Sequence, residues 1–204
     1  ILRIVKYLRK NHKPVLQKKC YICGSGKFSP YAEIHGFRYV KCVRCGHLFT
    51  TYRFTEEAIQ NFYKTNNYYS KTTYADKKSC FYRRDNVAKP KVEFLEQFIT
   101  PQKDKNTWID VGAGIGDLVS VAEKKGWKAT GLELSDNSVK FGKEVFNANL
   151  VQQTLDQYIK ENPGLWDNVD VMSFIGLLEH TTNPLGLLRL TNKLLKKNGH
   201  VMIQ

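Results

Sequence analysis

The sequence predicts an α/β protein in which a doubly wound, mostly parallel sheet over residues 105–204 follows a small cysteine-rich domain. Three observations carry that prediction. Residues 108–117 read Trp-Ile-Asp-Val-Gly-Ala-Gly-Ile-Gly-Asp, an apolar strand that delivers Asp110 and then turns through Gly112, Gly114 and Gly116 into a helix. Residues 128–134 alternate as a second strand and deliver Glu133, 21 positions after the first glycine. Four cysteines near the front fall as two matched pairs, Cys20-x2-Cys23 and Cys42-x2-Cys45, with 18 residues between them.

In chain order, residues 1–17 form a basic segment in which Ile1, Ile4, Val5 and Leu8 share a helical face. A short solvated or docking helix accounts for it, with a helix lying on a membrane surface as the alternative. The segment is too charged for a signal peptide. No stretch reaches the roughly 18 to 20 uninterrupted apolar residues of a membrane span, so a cytoplasmic protein without a transmembrane segment is expected.

Residues 18–50 hold the cysteine pairs, whose spacing matches a zinc ribbon. Gly24 and Gly46 directly follow each pair and permit the tight turns that aim both thiolates at one ion. Sulfur at all four positions leaves no coordination site for water, so the expected zinc is structural rather than catalytic. Two disulfides, the alternative, would require an oxidising compartment. His47 reads as a neighbour of the second knuckle, and Cys80 as a packed thiol.

Residues 51–104 form an aromatic and basic connector with helices. Thr55-Glu56-Glu57 supplies a helix cap and first-turn acids, and Tyr68-Tyr69 falls in a polar loop. A helix predicted over 85–99 puts Val92, Leu95, Phe98 and Ile99 on one buried face and stops at Thr100-Pro101. Arg83 and Arg84, just ahead of it, are candidates for gripping a ligand carboxylate. Beyond the glycine turn, residues 118–125 read as a helix ended by Gly126, 150–155 as a third strand and turn, and 201–203 as a fifth strand.

The glycine turn also selects its ligand. A dinucleotide fingerprint would need glycine at position 117, where the chain has Asp117. Asp110 would repel a pyrophosphate. A ligand with positive charge at one end and a ribose at the other fits instead, and S-adenosylmethionine has that distribution.

At these residues the chain resembles the class I S-adenosylmethionine-dependent methyltransferases, in their small-molecule and sugar branch. The likeness extends through Phe174-Ile175-Gly176-Leu177-Leu178-Glu179-His180 with Asn183-Pro184, and through Leu194 to Gly199 ahead of Val201-Met202-Ile203, covering residues 82–204. The resemblance implies a Rossmann-like sheet and methyl transfer. Asp110, Gly112, Gly114 and Gly116 would hold the methionine end and Glu133 the ribose hydroxyls. Leu134 would lie along the adenine, Thr154 or Leu155 at its edge, and Phe174 with Ile175 beneath the methyl group. Glu179, His180 and Tyr69 are the catalytic candidates, His180 as a base, although a structural role for the Glu-His pair is slightly favoured. A full domain of this class has seven strands, so the strands after the fifth are expected to be missing from these 204 residues.

The acceptor stays open. Residues 1–105 carry 22 Lys and Arg against 8 Asp and Glu, a surplus of 14, whereas residues 106–204 are one charge negative. That asymmetry suits RNA or a merely lysine-rich surface. A four-cysteine ribbon before such a domain is similar both to bacterial sugar methyltransferases and to ribosomal-RNA guanine methyltransferases, and Cys42 with Cys45, where the latter use a histidine, favours the former. Ser-Phe-Ile-Gly at 173–176 replaces the Asn-Pro-Pro-Tyr that positions nucleobase amines. A small polar acceptor, such as a nucleotide-linked sugar, is therefore expected, with a zinc-ribbon RNA methyltransferase and a non-catalytic interaction module as alternatives.

Overall fold

The computed structural model describes residues 2–65, 76–103 and 105–204. The chain divides into two compact units, Ile1–Phe62 with Thr181–Leu188, and Tyr63–His180 with Arg189–Gln204.

The first unit begins with helix α1 (Leu2–Asn11), and β1 (Val15–Leu16) then pairs antiparallel with β5 (Tyr52–Arg53). Between them β2 (Phe28–Ile34), β3 (Phe37–Cys42) and β4 (Leu48–Thr50) form an antiparallel meander. The β2–β3 hairpin closes on His35-Gly36, both at positive φ (52° and 75°), the backbone that matches the twist of paired strands. Beside the meander a small cluster of Cys20, Val40, Cys42 and Phe49 is buried, with Phe28 meeting Phe49 edge-on at 4.9 Å between centroids, and Leu8, Phe54, Ala58 and Phe62 are buried elsewhere in the unit. Helix α2 (Glu56–Thr65) starts where expected, the Thr55 hydroxyl accepting the Ala58 N–H. The segment Thr181–Leu188 joins this unit as Arg53 donates to the Thr182 carbonyl and the Thr182 hydroxyl donates to Glu56.

The second unit opens with α3 (Lys77–Arg83), a π-helical turn (Arg84–Ala88) and α4 (Lys89–Leu95), which run on as one helix. Pro90 accounts for the wide turn: it cannot donate to the carbonyl four residues back and its ring crowds that carbonyl. The helix thus begins earlier than the apolar stripe suggests and ends at Leu95. Phe98 lies beyond that end and is exposed, stacked edge-on against Phe94, rather than buried with Val92 and Leu95.

Five strands follow: β6 (Thr107–Val111), β7 (Lys128–Leu132), β8 (Leu150–Val151), β9 (Val169–Phe174) and β10 (Leu195–Ile203). Helices α5 (Asp117–Lys124), α6 (Asp136–Phe146), α7 (Leu155–Glu161) and α8 (Pro184–Leu194) connect them. All neighbours are parallel, in the order β10-β9-β6-β7-β8, so this is the doubly wound α/β sheet the sequence predicts. The order reverses between β6 and β9, and a sheet of this kind offers its crevice there, beyond the strands' carboxyl ends.

The central strands β6, β7 and β9 are buried along nearly their whole length, as strands inside a parallel sheet are, whereas no residue of the edge strand β10 is fully buried. Every residue of β9 is buried, and Trp108 meets Trp127 edge-on, centroids 5.2 Å apart, in the main core. At the opposite end of the sheet Asp170 accepts from Asn106 Nδ2, the Thr107 N–H and Lys196 Nζ, each at 2.8 Å, tying β6, β9 and β10 together. Among the described residues no helix is long and apolar enough to cross a membrane.

Candidate functional site

The glycine turn lies at the switch point. Gly112, Gly114 and Gly116 all have positive φ (77°, 57° and 73°), a backbone that L side chains resist. Two of them also lack room for a side chain. A Cβ on Gly112 would stand 2.9 Å from Leu177, in the loop after β9, and one on Gly116 would stand 2.9 Å from both Ala148 and Leu150. The turn is tied to its neighbour strand, since the Gly112 and Ala113 N–H groups both donate to the Leu132 carbonyl, at 2.8 and 3.0 Å.

Two carboxylates flank it. Asp110 is 4% exposed, and its Oδ1 accepts the Ser173 hydroxyl at 2.6 Å. Burial pushes its carboxyl up to about 7; Asp117 and Glu133 add to the rise and the Ser173 hydroxyl opposes it. Glu133 gathers backbone donors: Oε2 accepts the Gly114 N–H at 2.9 Å, and Oε1 accepts those of Leu134 and Ser135 at 2.8 Å each. Burial nevertheless holds its carboxyl above the usual range.

A cleft of about 100 Å³ opens over the turn, lined by Asp110, Gly112, Ala113, Gly114, Asp117, Leu118 and Ile175 on one side and by Arg83, Val87, Ala88 and Lys91 of the α3–α4 helix on the other. Arg83 stands with Nε 3.7 Å from Asp117 Oδ2, and that nitrogen is buried without a hydrogen-bond partner among the described residues. Arg84 turns away, paired with Asp85 at 2.7 and 3.0 Å and stacked over Phe81. The sequence names both arginines, and the fold separates them.

Of the other residues singled out, Gly116 opens α5 and Leu134 follows Glu133 at the mouth of β7. Thr154 caps α7, its hydroxyl accepting the Gln157 N–H at 3.2 Å, while Leu155 is buried in the first turn of that helix. Phe174 is fully buried and Ile175 reaches the cleft. Glu179 and His180 occupy a short 3-10 turn, both exposed, with the His180 ring 6.3 Å from Tyr63; neither lines the cleft. Tyr69 and its neighbour Tyr68 lie outside the described residues. Sequence reasoning missed Val87 and Lys91, although Arg83, Val87 and Lys91 recur at the four-residue spacing of one helix face. It also missed Ser173, whose link to Asp110 exists only through strand pairing.

In the first unit the Sγ atoms of Cys20, Cys23, Cys42 and Cys45 lie within 4.8 Å of one another, with Cys20 and Cys45 at 3.6 Å and Cys23 and Cys42 at 3.5 Å. All are free thiols. Sulfurs arranged tetrahedrally around a zinc ion stand about 3.8 Å apart, so the cluster has the dimensions and donor set of a four-sulfur metal site. His47 stacks on Phe49 at 5.6 Å and supplies no ligand to the cluster.

A family model described as a methyltransferase domain matches residues 81–204. A ubiquinone biosynthesis O-methyltransferase of Pectobacterium carotovorum is 31% identical over 98 residues, 46% of this chain and 40% of that one. The protein of the same name from Vibrio campbellii is 32% identical over 98 residues, with the same two shares. The chain thus spans about 40% of the length of these curated relatives. Among solved structures, the plantazolicin methyltransferase BpumL in complex with SAH superposes at a TM-score of 0.54 with 14% identity, over 72% of this chain and 57% of that one. Haemonchus contortus phosphoethanolamine N-methyltransferase 1 superposes at 0.52 with 18% identity, over 73% and 32%. At such identities the two structures speak for the fold alone.

Proposed function

The chain belongs to the methyltransferase-domain family, and on that premise we propose that it transfers a methyl group from S-adenosylmethionine to a small polar acceptor. The observation that carries the reading is the pair of carboxylates, Asp110 and Glu133, on either side of a glycine turn at the sheet's switch point. In this reading Asp110 faces the cationic methionine end, while Arg83 and Lys91 across the cleft suit that end's carboxylate. Glu133 receives the ribose. A carboxylate offers about four lone-pair sites and backbone N–H groups already occupy three, so gripping both ribose hydroxyls would release the Gly114 N–H. Leu134 lies along the adenine, and Thr154 with Leu155, at the start of α7, borders its edge. Ile175 floors the methyl site with Phe174 packed behind it.

The bound donor supplies an electrophilic methyl group. The protein's share is to align the acceptor in line with it and to exclude water. The O-methyltransferase name of the curated relatives supports a hydroxyl acceptor, with a nucleotide-linked sugar as the candidate class. A hydroxyl must lose its proton; His180, Glu179 and Tyr69 are the candidates for taking it, but His180 and Glu179 stand outside the cleft, which favours a structural role for that pair. Cys20, Cys23, Cys42 and Cys45 would hold a structural zinc, and four reduced thiols suit the cytoplasm. The domain division proposed is a basic segment 1–17, ribbon 18–50, connector 51–104 and donor-binding domain 105–204.

Calorimetric titration with S-adenosylmethionine tests the donor. Glu133→Ala is expected to weaken binding by about tenfold to a hundredfold, the worth of hydrogen bonds to a charged group. Binding that is absent, or indifferent to this change, would sink the reading. Transfer of a labelled methyl group to a panel of nucleotide sugars, set beside total RNA, tests the acceptor: label in RNA, with an affinity that falls steeply with salt, would replace the small molecule.

A further inference from the structure

We propose that Ser173 and Trp108 are positioning residues for Asp110, forming a two-link hydrogen-bond relay that keeps one carboxylate oxygen a permanent acceptor and presents the other, ionised, to a cationic ligand. The ligand half of this inference rests on the donor-binding reading above; the relay itself does not. Strand pairing sets Asp110 directly across from Ser173, and Trp108, two residues earlier on β6, projects from the same face as Asp110. The Trp108 indole Nε1–H donates to Ser173 Oγ at 2.8 Å, and the Ser173 hydroxyl donates to Asp110 Oδ1 at 2.6 Å.

The direction of the relay follows from chemistry. An indole N–H only donates, so it occupies a lone pair of Ser173 and leaves that residue's single hydroxyl hydrogen for Asp110. Trp108, Ser173 and Asp110 are 1%, 0% and 4% exposed, so water has no access with which to replace either link. Any proton that Asp110 takes up belongs on Oδ2, the oxygen the relay leaves free. Protonation there would convert an anionic acceptor into a neutral donor, and a cationic ligand would lose its partner.

The charged groups around Asp110 oppose one another. Asp117 of α5 and Glu133 at the end of β7 disfavour its ionisation, as does burial, while Arg83 and Lys91 of the α3–α4 helix line the same cleft. Ser173 is the hydrogen-bonding side chain that favours the ionised form. Its removal therefore raises the pH at which Asp110 becomes an anion, and strands the buried indole N–H as well.

The test has a ligand-free arm and a ligand arm. The Trp108 indole signal in a proton-nitrogen spectrum, identified by its loss in Trp108→Phe, is followed over about pH 5 to 9. It should titrate with Asp110, stop titrating in Asp110→Asn and in Ser173→Ala, and titrate again in Ser173→Thr, which keeps the hydroxyl. In calorimetry with S-adenosylmethionine over the same range, affinity should rise with pH as Asp110 ionises. Ser173→Ala should move that rise to higher pH and cost about tenfold in affinity near neutrality, with Ser173→Thr restoring both. An indole signal indifferent to pH in the unsubstituted protein, or a Ser173→Ala profile that overlies the unsubstituted one, overturns the relay. A signal that titrates as expected in a protein that binds no S-adenosylmethionine leaves the relay standing and overturns the donor reading instead.

Discussion

The cysteine knuckles and the glycine turn of the sheet are both short loops closed by glycine at positive φ, yet they need that glycine for different reasons. In the knuckles the need is local. The Gly24 N–H donates to the Cys20 carbonyl and the Gly46 N–H to the Cys42 carbonyl, each at 2.9 Å, and a Cβ on Gly24 would meet nothing within 4 Å. In the sheet the need is tertiary as well: Cβ atoms on Gly112 and Gly116 would collide with side chains about 65 and about 34 residues away in sequence. Each knuckle is shaped by its own turn, even though the cluster joins two of them, whereas the glycine turn of the sheet is shaped by the fold around it.

That contrast predicts where each region breaks. The core cluster around the cysteines, among the described residues, is Cys20, Val40, Cys42 and Phe49, of which two are themselves cysteines, and so small an apolar core needs a cross-link or ion. On the proposal of a structural zinc, a chelator or Cys42→Ser should unfold the ribbon, because such an ion contributes about 10 to 16 kcal/mol at neutral pH. Circular dichroism should show the sheet's own transition surviving. Loss of both transitions together would erase the distinction drawn between the two regions.

A smaller but global loss is expected at Asp170. Burial raises its carboxyl, and Lys196, the Thr107 amide and Asn106 together outweigh burial and hold it below the usual carboxylate range. A depressed carboxyl contributes stability above its unfolded value of about 3.9 and loses it as pH falls through the folded value. Asp170→Ala should therefore cost about 3 kcal/mol at neutral pH and remove part of the acid limb below about pH 4, both read by urea melts at several pH values.

Gly131→Ala sharpens the tertiary half of the comparison. Gly131 is an ordinary strand residue in φ, but a Cβ there would stand 2.5 Å from Leu150, 2.6 Å from Ala113 and 2.9 Å from Val119. Overpacking should cost about 1 to 3 kcal/mol, whereas Gly24→Ala, with open space around it, should cost only the strain of its backbone. The smallest effect belongs to Thr154→Ala, which removes the capping box of α7 and should lower the melting midpoint by the equivalent of about 1 kcal/mol.

Legibility in the sequence follows the same line. The cysteine quartet, the strand ends at Asp110 and Glu133, and the Thr55 cap are read from neighbours a few residues apart, and they stand where the spacing puts them. The α3–α4 helix was legible as a helix but not in its limits, because Pro90 widens it without ending it and the chain leaves it at Leu95. Glu179 and His180 were legible as a motif, yet nothing in a run of letters says which way a short turn points its side chains, and they stand outside the cleft.

By itself the sequence determined the two kinds of site: a four-sulfur cluster, and a glycine turn between two acids in an α/β sheet. Both are legible from local pattern, the C-x2-C pairs and the strand-then-glycine turn, although the contacts themselves join Cys20 to Cys45 and Cys23 to Cys42 across the two knuckles. Tertiary structure alone decided that Arg83 faces the cleft and Arg84 does not, and that Ser173 stands between Trp108 and Asp110. Those choices belong to helix packing and to the register of β6 against β9, where groups about 64 residues apart meet because two parallel strands align.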